Sequence, residues 1–416
     1  MAVVGQQRVT DPAFAEPGAV LREVDEAAGY IASICFKTGP PVLVGVELEW
    51  TVHDIDDPAR PLRADILREA LGPYAPPTLS PTSPHARLPS GSAVTAEPGG
   101  QVELSSPPGP SLAALHATVS ADLQRLIEML GRVGLRLGAE GIDAYRAPRQ
   151  LLHTPRYDAM ALSFDHRGPH GRVMMCSTAA VQVCLDAGAI DRVRPRWAAM
   201  HALGPVLLAT FANAPRHAGR HTGWASARMR SWLGIDPARS APAFRGGDPA
   251  ADWARYALRA PLLCVRRPGG SWHVPHGVTF ADWISGALPG PPPTVDDLDY
   301  HLTTLFPPVR PRGYVELRYL DAQPPQEWLA PVAVLTALLA DESTVDAATE
   351  LCAPVADRWV DAARLGLADP VLRRAAGAVL ELACRALNRT DLGPRERAEV
   401  AEIVGRRLAA GTEVLR

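Results

Sequence analysis

Three short strand-like segments, far apart in the chain, set acidic or amide side chains two residues apart. They are Val44–Trp50 with Glu47 and Glu49, Glu97–Ser105 with Gln101 and Glu103, and Tyr314–Tyr319 with Glu316 and Arg318. Side chains along a strand repeat with a period of two, so each pair shares a face. The residues between them, Leu48, Val102 and Leu317, suit a buried opposite face. If the three strands lie in one sheet, the carboxylates converge. Packed carboxylates repel by about 1–4 kcal/mol per pair at about 4 Å. A hard cation such as Mg²⁺ or Mn²⁺, whose ligands are carboxylate oxygens, is the simplest way to hold them together. One strand with alternating Glu is simply solvent-facing on its polar side. Three of them point to a metal cluster of Glu47, Glu49, Glu103 and Glu316, with Glu97 and Gln182 nearby.

The elements that must position these residues follow from the rest of the chain. At 416 residues it can bury a large core. A net charge of −3 gives no basic excess to attract nucleic acid or anionic lipid. Lys37 is the sole lysine, so no Gly-x-x-x-x-Gly-Lys phosphate loop exists, and nucleotide phosphates would fall to arginine and metal. The six cysteines form no Cys-x-x-Cys pair and read as free thiols in a reducing cytosol. Neither a signal-peptide core in Met1–Val20 nor a membrane-length apolar run is present, so a cytoplasmic protein is expected.

A tail and a helix near Val20–Phe36 occupy residues 1–39, and Pro40-Pro41 launches the first acidic strand. Residues 72–92 carry six prolines and read as a long loop. Ser111 caps an amphipathic helix in which Leu112, Leu115, Val119, Leu123, Leu126 and Leu130 keep helical spacing, and Gly134 ends it. Arg172–Asp186 reads as one buried strand with Gln182 as its odd polar residue. Cys176 and Cys184 would share a face of it as core residues. A buried amide must find partners, either structural or in a site. Pro195–Phe211 reads as helix, 213–250 as extended loops, and Leu262–Arg266 as a strand. From Pro325 the pattern is helical, giving a C-terminal layer over 326–416 that braces a core over 40–325, all in a single catalytic domain. Strands and helices do not alternate regularly, so the class is α+β.

Among other reactive types, His217-x-x-x-His221 has metal-like spacing, but Pro215, Gly219 and Gly223 argue for a loop, and the same holds for His273 and His276. Gly223–Arg239 packs Arg228, Arg230, Arg239, Trp224 and Trp232 into seventeen residues. Arginine forks grip carboxylate or phosphate bidentately, and the alternative is a solvated Arg-rich loop.

Read in order, Val44-Gly-Val-Glu-Leu-Glu49, Gly100-Gln-Val-Glu-Leu-Ser105, Val181-Gln-Val183, Phe211-Ala-Asn-Ala-Pro215, Ser226-Ala-Arg228 with Trp232 and Asp236-Pro-Ala-Arg239, and His301 through Leu305-Phe-Pro to Gly313-Tyr-Val-Glu-Leu-Arg318 resemble glutamate–cysteine ligases of the plant and bacterial type. The resemblance is closest to the actinobacterial branch that opens ergothioneine biosynthesis, and it covers about residues 40–325. It implies a glutamine synthetase-like curved, mainly antiparallel sheet forming a funnel, with helices outside. It also implies that L-glutamate, L-cysteine and ATP are joined to γ-glutamylcysteine with Mg²⁺ or Mn²⁺. By the same resemblance Glu47, Glu49, Glu97, Glu103 and Glu316 match metal ligands. Arg318 and Glu316 match the phosphoryl-transfer machinery, and Arg228, Gln101, Gln182 and Arg239 the substrate-binding set. The sequence departs from plant members at Ser177, where they carry an arginine. Such chemistry turns a carboxylate into an acyl phosphate, which needs metal-bridged phosphates, a cation on the transferring group and exclusion of water. Loops 72–92 and 213–250 are candidate lids. The alternatives are another carboxylate–amine ligase using glutamate with a different amine, a guanidine kinase-like phosphotransferase, and a non-catalytic relative. Partners beyond small-molecule substrates, nucleic acid and membrane included, are not expected.

Overall fold

The computed structural model describes residues 18–413 apart from position 245, so most of the expected N-terminal tail lies outside the described residues. The described strands are β1 (Val44–Trp50), β2 (Val52–Asp54), β3 (Ala93–Ala96), β4 (Val102–Ser105), β5 (Leu135–Leu137), β6 (Ala180–Leu185), β7 (Arg216–His217), β8 (Arg220–His221), β9 (Val309–Arg312) and β10 (Tyr314–Asp321). Six of them form one sheet in the order β3-β4-β1-β6-β10-β9. Every neighbouring pair in it is antiparallel. The fold is thus a mixture of helices with one six-stranded antiparallel sheet and two small antiparallel pairs, β2-β5 and β7-β8.

The register gathers the polar residues. Glu49 stands opposite Glu103, and Glu47 stands between Ser105 on β4 and Gln182 on β6. Glu316 stands between Cys184 on β6 and Arg310 on β9. Directly opposed residues share a face, so acids, amide and arginines all line one side. Their alternates Val46, Leu48, Trp50, Val102, Leu104, Val181, Val183, Val315 and Leu317 are buried on the other. Helices Leu112–Gly131, Val193–Phe211 and Leu329–Leu338 pack against the sheet, and their apolar residues join one core with it. Each fully buried Val or Leu contributes about 1.5–3 kcal/mol over an exposed one, which is why a one-residue slip of β1 or β4 is forbidden. The Ser111 cap forms as read: its hydroxyl accepts from the Ala114 N–H at 3.2 Å.

Two irregularities serve the polar face. The β10–β6 register shifts between Leu317 and Leu320, so Arg318 and Tyr319 both stand against Gln182. This bulge turns Arg318 toward the acids while Tyr319 is buried, its ring 5.7 Å from that of Trp359. At the β3–β4 turn, the Glu97 N–H donates to the Gln101 carbonyl at 2.9 Å and Gly100 takes φ +87°. A Cβ on Gly99 would sit 2.1 Å from the Cys176 carbonyl oxygen. Only glycine lets the turn press so closely on that backbone.

Three expectations fail. Arg172–Asp186 is not one strand: His170–Ser177 is a helix and only Ala180–Leu185 is extended. A short apolar run such as Val173–Cys176 fits either state by pattern, so Cys176 lies on a helix and shares no strand face with Cys184. The expected loop at 213–250 contains helices Ala227–Ile235 and Pro237–Ser240, capped by the Ser226 hydroxyl and the Asp236 carboxylate, and the start of Pro249–Arg259. Leu262–Arg266 is an irregular loop, tied by Leu262 N–H to the Val278 carbonyl and Val265 N–H to the Trp272 carbonyl. The C-terminal helices Leu329–Leu338, Glu342–Cys352, Trp359–Leu365, Pro370–Leu387 and Pro394–Glu413 form as read. No described helix is long and apolar enough to cross a membrane. All six cysteines are free.

Gly99→Ala should destabilise the fold by about 1–3 kcal/mol, the usual cost of overpacking against backbone. Gly131→Ala, in a helix with nothing within 4 Å of the added carbon, should gain up to about 1 kcal/mol. Urea denaturation of the two variants checks the contrast.

Candidate active site

The acidic half of the polar face is built by β1 and the β3–β4 hairpin. Glu103 is buried, and its Oε1 accepts from the Thr95 hydroxyl at 2.7 Å and the Ser105 hydroxyl at 2.9 Å. Glu49 Oε1 accepts from the Gln182 amide at 2.7 Å. The Glu47 and Glu97 carboxylates receive no side-chain hydrogen bond from the described residues. Burial, then the charges of Glu103 and Glu316, push the Glu47 carboxyl up to about 8. Burial and the charges of Glu103 and Glu97 hold Glu49 well above the usual carboxylate range. Burial and Glu103 raise Glu97 as well.

The basic half is built by β9 and β10. Glu316 is fully buried inside an arginine cage. Arg310 donates through Nε at 2.7 Å, Arg312 at 3.1 Å and Arg318 at 3.2 Å, with the Tyr314 hydroxyl at 3.3 Å. Burial opposes ionisation there, but the three guanidinium groups win and bring Glu316 down to about 2. Gln182 joins the halves, donating to Glu49 and accepting from Arg318.

The predicted residues therefore separate into groups. Glu47, Glu49, Glu97 and Glu103 cluster at the acidic end. Glu316 shares their face, but its oxygens are turned to arginine. Among the described residues no three acidic, histidine or cysteine side chains stand in a ready coordination shell. The donor chemistry still fits a hard divalent cation: oxygen donors only, two carboxylates with no side-chain hydrogen bond from the described residues, and burial and mutual repulsion that raise both.

Arg228 is buried beside the site. It donates to the Arg318 carbonyl at 2.7 Å and lies 3.7 Å from Asp321, while its Nε has no partner among the described residues. Gln101 and Arg239 both bind neighbouring parts of the fold. The Gln101 amide binds the Met175 and Thr178 carbonyls and accepts from Gly99 N–H, which ties the hairpin to the Ser177 region. Arg239 spends its nitrogens on Asp236 and the Thr304 and Pro261 carbonyls. Both amide N–H groups of Gln101 are thereby used, and Arg239 engages all three of its nitrogens while keeping further N–H groups on its two terminal nitrogens. His217 and His221 lie in the β7–β8 hairpin, where His217 Nδ1 meets the Asp143 carbonyl at 3.0 Å. Sequence reading missed Thr95, Ser105, Arg310 and Arg312. The last two carried a usable signal, the period-two arginines of Val309-Arg-Pro-Arg.

The raised carboxyls give a signed pH dependence. Natively protonated Glu47 and Glu49 hold protons that the unfolded chain has already released, so without metal the stability should fall as pH rises from the ordinary carboxylate range to about 8. Glu316 works oppositely: its contribution is complete above that range and is lost only as pH falls toward about 2. Mg²⁺ should raise the melting temperature more at about pH 8 than at about pH 5, and Glu47→Gln should flatten the slope. Thermal denaturation with and without Mg²⁺ across pH checks both.

The chain is similar to known proteins over most of its length. The pattern of glutamate–cysteine ligase family 2 matches residues 43–414. Glutamate–cysteine ligase EgtA of Mycobacterium tuberculosis (strain H37Rv) is 42% identical over 379 residues, 89% of this chain and 85% of that protein. EgtA of Mycolicibacterium smegmatis is 43% identical over 365 residues, 86% and 84% of the two chains. The chloroplastic glutamate–cysteine ligase of Arabidopsis thaliana is 29% identical over 354 residues, 82% and 66%. Among solved structures, the Francisella tularensis glutamate–cysteine ligase in complex with AMP covers 91% of this chain and 95% of its own at 12% identity and a TM-score of 0.43, a likeness too loose to build on. On the match across most of its length, the chain belongs to glutamate–cysteine ligase family 2.

Proposed function

We infer that this protein is an ATP-dependent ligase that joins the γ-carboxylate of L-glutamate to the amine of L-cysteine, releasing γ-glutamylcysteine, ADP and phosphate. Its product would enter ergothioneine biosynthesis. The observation that carries the reading is the division of one sheet face into a carboxylate cluster and an arginine cluster within a chain of this family. Ligation must gather the anionic phosphates of ATP and an anionic substrate on one surface, which takes metal-binding acids and fixed cations together.

Glu47, Glu49, Glu97 and Glu103 are the residues we assign to Mg²⁺ or Mn²⁺, which would neutralise and orient the nucleotide phosphates. Glu316 is assigned to the metal site on family grounds and holds Arg318 in place meanwhile. Arg318 neutralises charge on the transferring phosphoryl group, Arg228 takes a substrate carboxylate, and Gln182 fixes Arg318 against Glu49. The γ-carboxylate attacks the terminal phosphorus of ATP, and ADP leaves. The cysteine amine then adds to the acyl phosphate, loses a proton and expels phosphate. No enzyme nucleophile is needed. Cys184, the thiol on this face, is partly exposed but is held well above its ordinary pKa by desolvation and by the charges of Glu47 and Glu316, which leaves it protonated and unreactive. We further propose one catalytic domain, a funnel-like sheet of the glutamine synthetase kind and a cytoplasmic location. The substrates would be the only partners, without nucleic acid or membrane.

ADP release coupled to glutamate and a panel of amines tests the reaction. Turnover should require glutamate and favour cysteine, and release with another amine but not cysteine would overturn the acceptor. Glutamate labelled with ¹⁸O in the γ-carboxylate should pass one label to phosphate, and an unlabelled phosphate pool during turnover would rule out the acyl phosphate. Arg228→Lys, which loses the fork, should weaken apparent glutamate affinity by about 10- to 100-fold with little change for ATP.

A further inference from the structure

Three buried N–H donors without a partner cluster at one place on the polar face. They are Arg228 Nε, Arg318 Nε and Trp232 Nε1, none of which meets an acceptor among the described residues. Buried donors are almost always satisfied, so three together ask for an acceptor that the fold does not supply. Trp232 follows Arg228 by one helical turn on Ala227–Ile235 and so shares its side of the helix. The guanidinium carbons of Arg228 and Arg318 lie 5.5 Å and 5.5 Å from the same indole ring. Phe306 abuts that ring edge-on at 5.6 Å and an interplanar angle of 84°, which fixes its plane. Two like charges held against one rigid aromatic ring, each with a donor to spare, are a receptor for a molecule with an anionic group at both ends.

We propose that Trp232 sets the chain length of the dicarboxylate substrate. One carboxylate meets Arg228, the other lies at Arg318 where it is phosphorylated, and the methylene chain between them rests on the indole, whose N–H supplies a further donor. The proposal rests on the reading that Arg228 and Arg318 take the two ends of the substrate. A flat ring suits this role because it offers apolar surface to methylene groups and a favourable face to the flanking cations. A chain one methylene shorter would leave one arginine unpaired, and a longer one would buckle off the ring.

The test compares glutamate with aspartate and 2-aminoadipate, one methylene shorter and longer. In Trp232→Phe, kcat/KM for glutamate should fall while the preference for glutamate over the other two shrinks by about 10-fold, the discrimination that one methylene commands in a pocket. The KM for ATP should stay put, and circular dichroism with a thermal melt checks the fold. Equal loss for all three acids, or an unchanged preference, would overturn the proposal. Arg228→Lys in the same panel separates the two ideas. Loss of glutamate affinity with the preference intact upholds the Arg228 assignment even if the ruler fails, whereas no loss removes the assignment itself. Should Trp232→Phe not fold, saturation-transfer NMR on the wild-type protein with Mg²⁺ and glutamate decides. Saturating the aromatic protons should reach the glutamate β and γ protons, and no transfer overturns the contact.

Discussion

The amide of Gln182 is the joint on which the polar face turns. It donates to Glu49 with one end and accepts from Arg318 with the other, so a single uncharged side chain couples a region that repels itself to a region that over-attracts. A carboxylate there would add a further charge to the acidic cluster, and an apolar residue would leave Arg318 with Glu316 but no acceptor on β6. The amide satisfies both neighbours without changing the charge of either. Its position is fixed in turn by Val181 and Val183, whose burial holds the β6 register on the opposite face.

Around that joint the two halves are held by different physics. The acidic end is held by geometry: β-pairing forces Glu49 against Glu103 whatever the charges prefer, and the Thr95 and Ser105 hydroxyls steady Glu103. The basic end is held by electrostatics. Arg310, Arg312 and Arg318 converge on one buried carboxylate, which orients all three and leaves an excess of positive charge. An acid site poised for cations thus lies beside a base site poised for anions. The helix that carries Arg228 and Trp232 contacts β10 alongside them.

Much of this was legible because strand periodicity is a local rule. Glu47, Glu49, Glu103, Glu316 and Arg318 could be assigned to one face without knowing the sheet, since Leu48, Val102 and Leu317 mark the other. What resisted reading was tertiary. Gln101 looked like a substrate amide, yet its partners are the Met175 and Thr178 carbonyls at the end of a helix that the apolar run Val173–Cys176 disguised as strand. Arg239 reads as part of the substrate-binding set, and its guanidinium also binds the carbonyls of Pro261 and Thr304, distant in sequence. Whether an arginine serves the fold or a ligand depends on which acceptors arrive from elsewhere, and no local pattern states that. The capped helices within 213–250 were different. Ser226, Asp236 and Asp248 were visible signals, outweighed by the Gly and Arg content around them.

The strand order β3-β4-β1-β6-β10-β9 has a consequence for how the chain acquires its shape as it leaves the ribosome. The self-repelling acids of β1, β4 and the turn between β3 and β4 emerge first, while β9 and β10, which bring arginines and an outer pair of the sheet, arrive only at residues 309–321. Pairings this distant are slow to form. Until Arg318 reaches Gln182, the nascent sheet carries an unbalanced negative face and an unpaired β6 edge, the state most exposed to misassembly. The last strands to be made are therefore those that turn a frustrated intermediate into a settled protein. A chain cut before residue 309 would carry most of the carboxylates yet lack the arginines of β9 and β10 that help to make them tolerable.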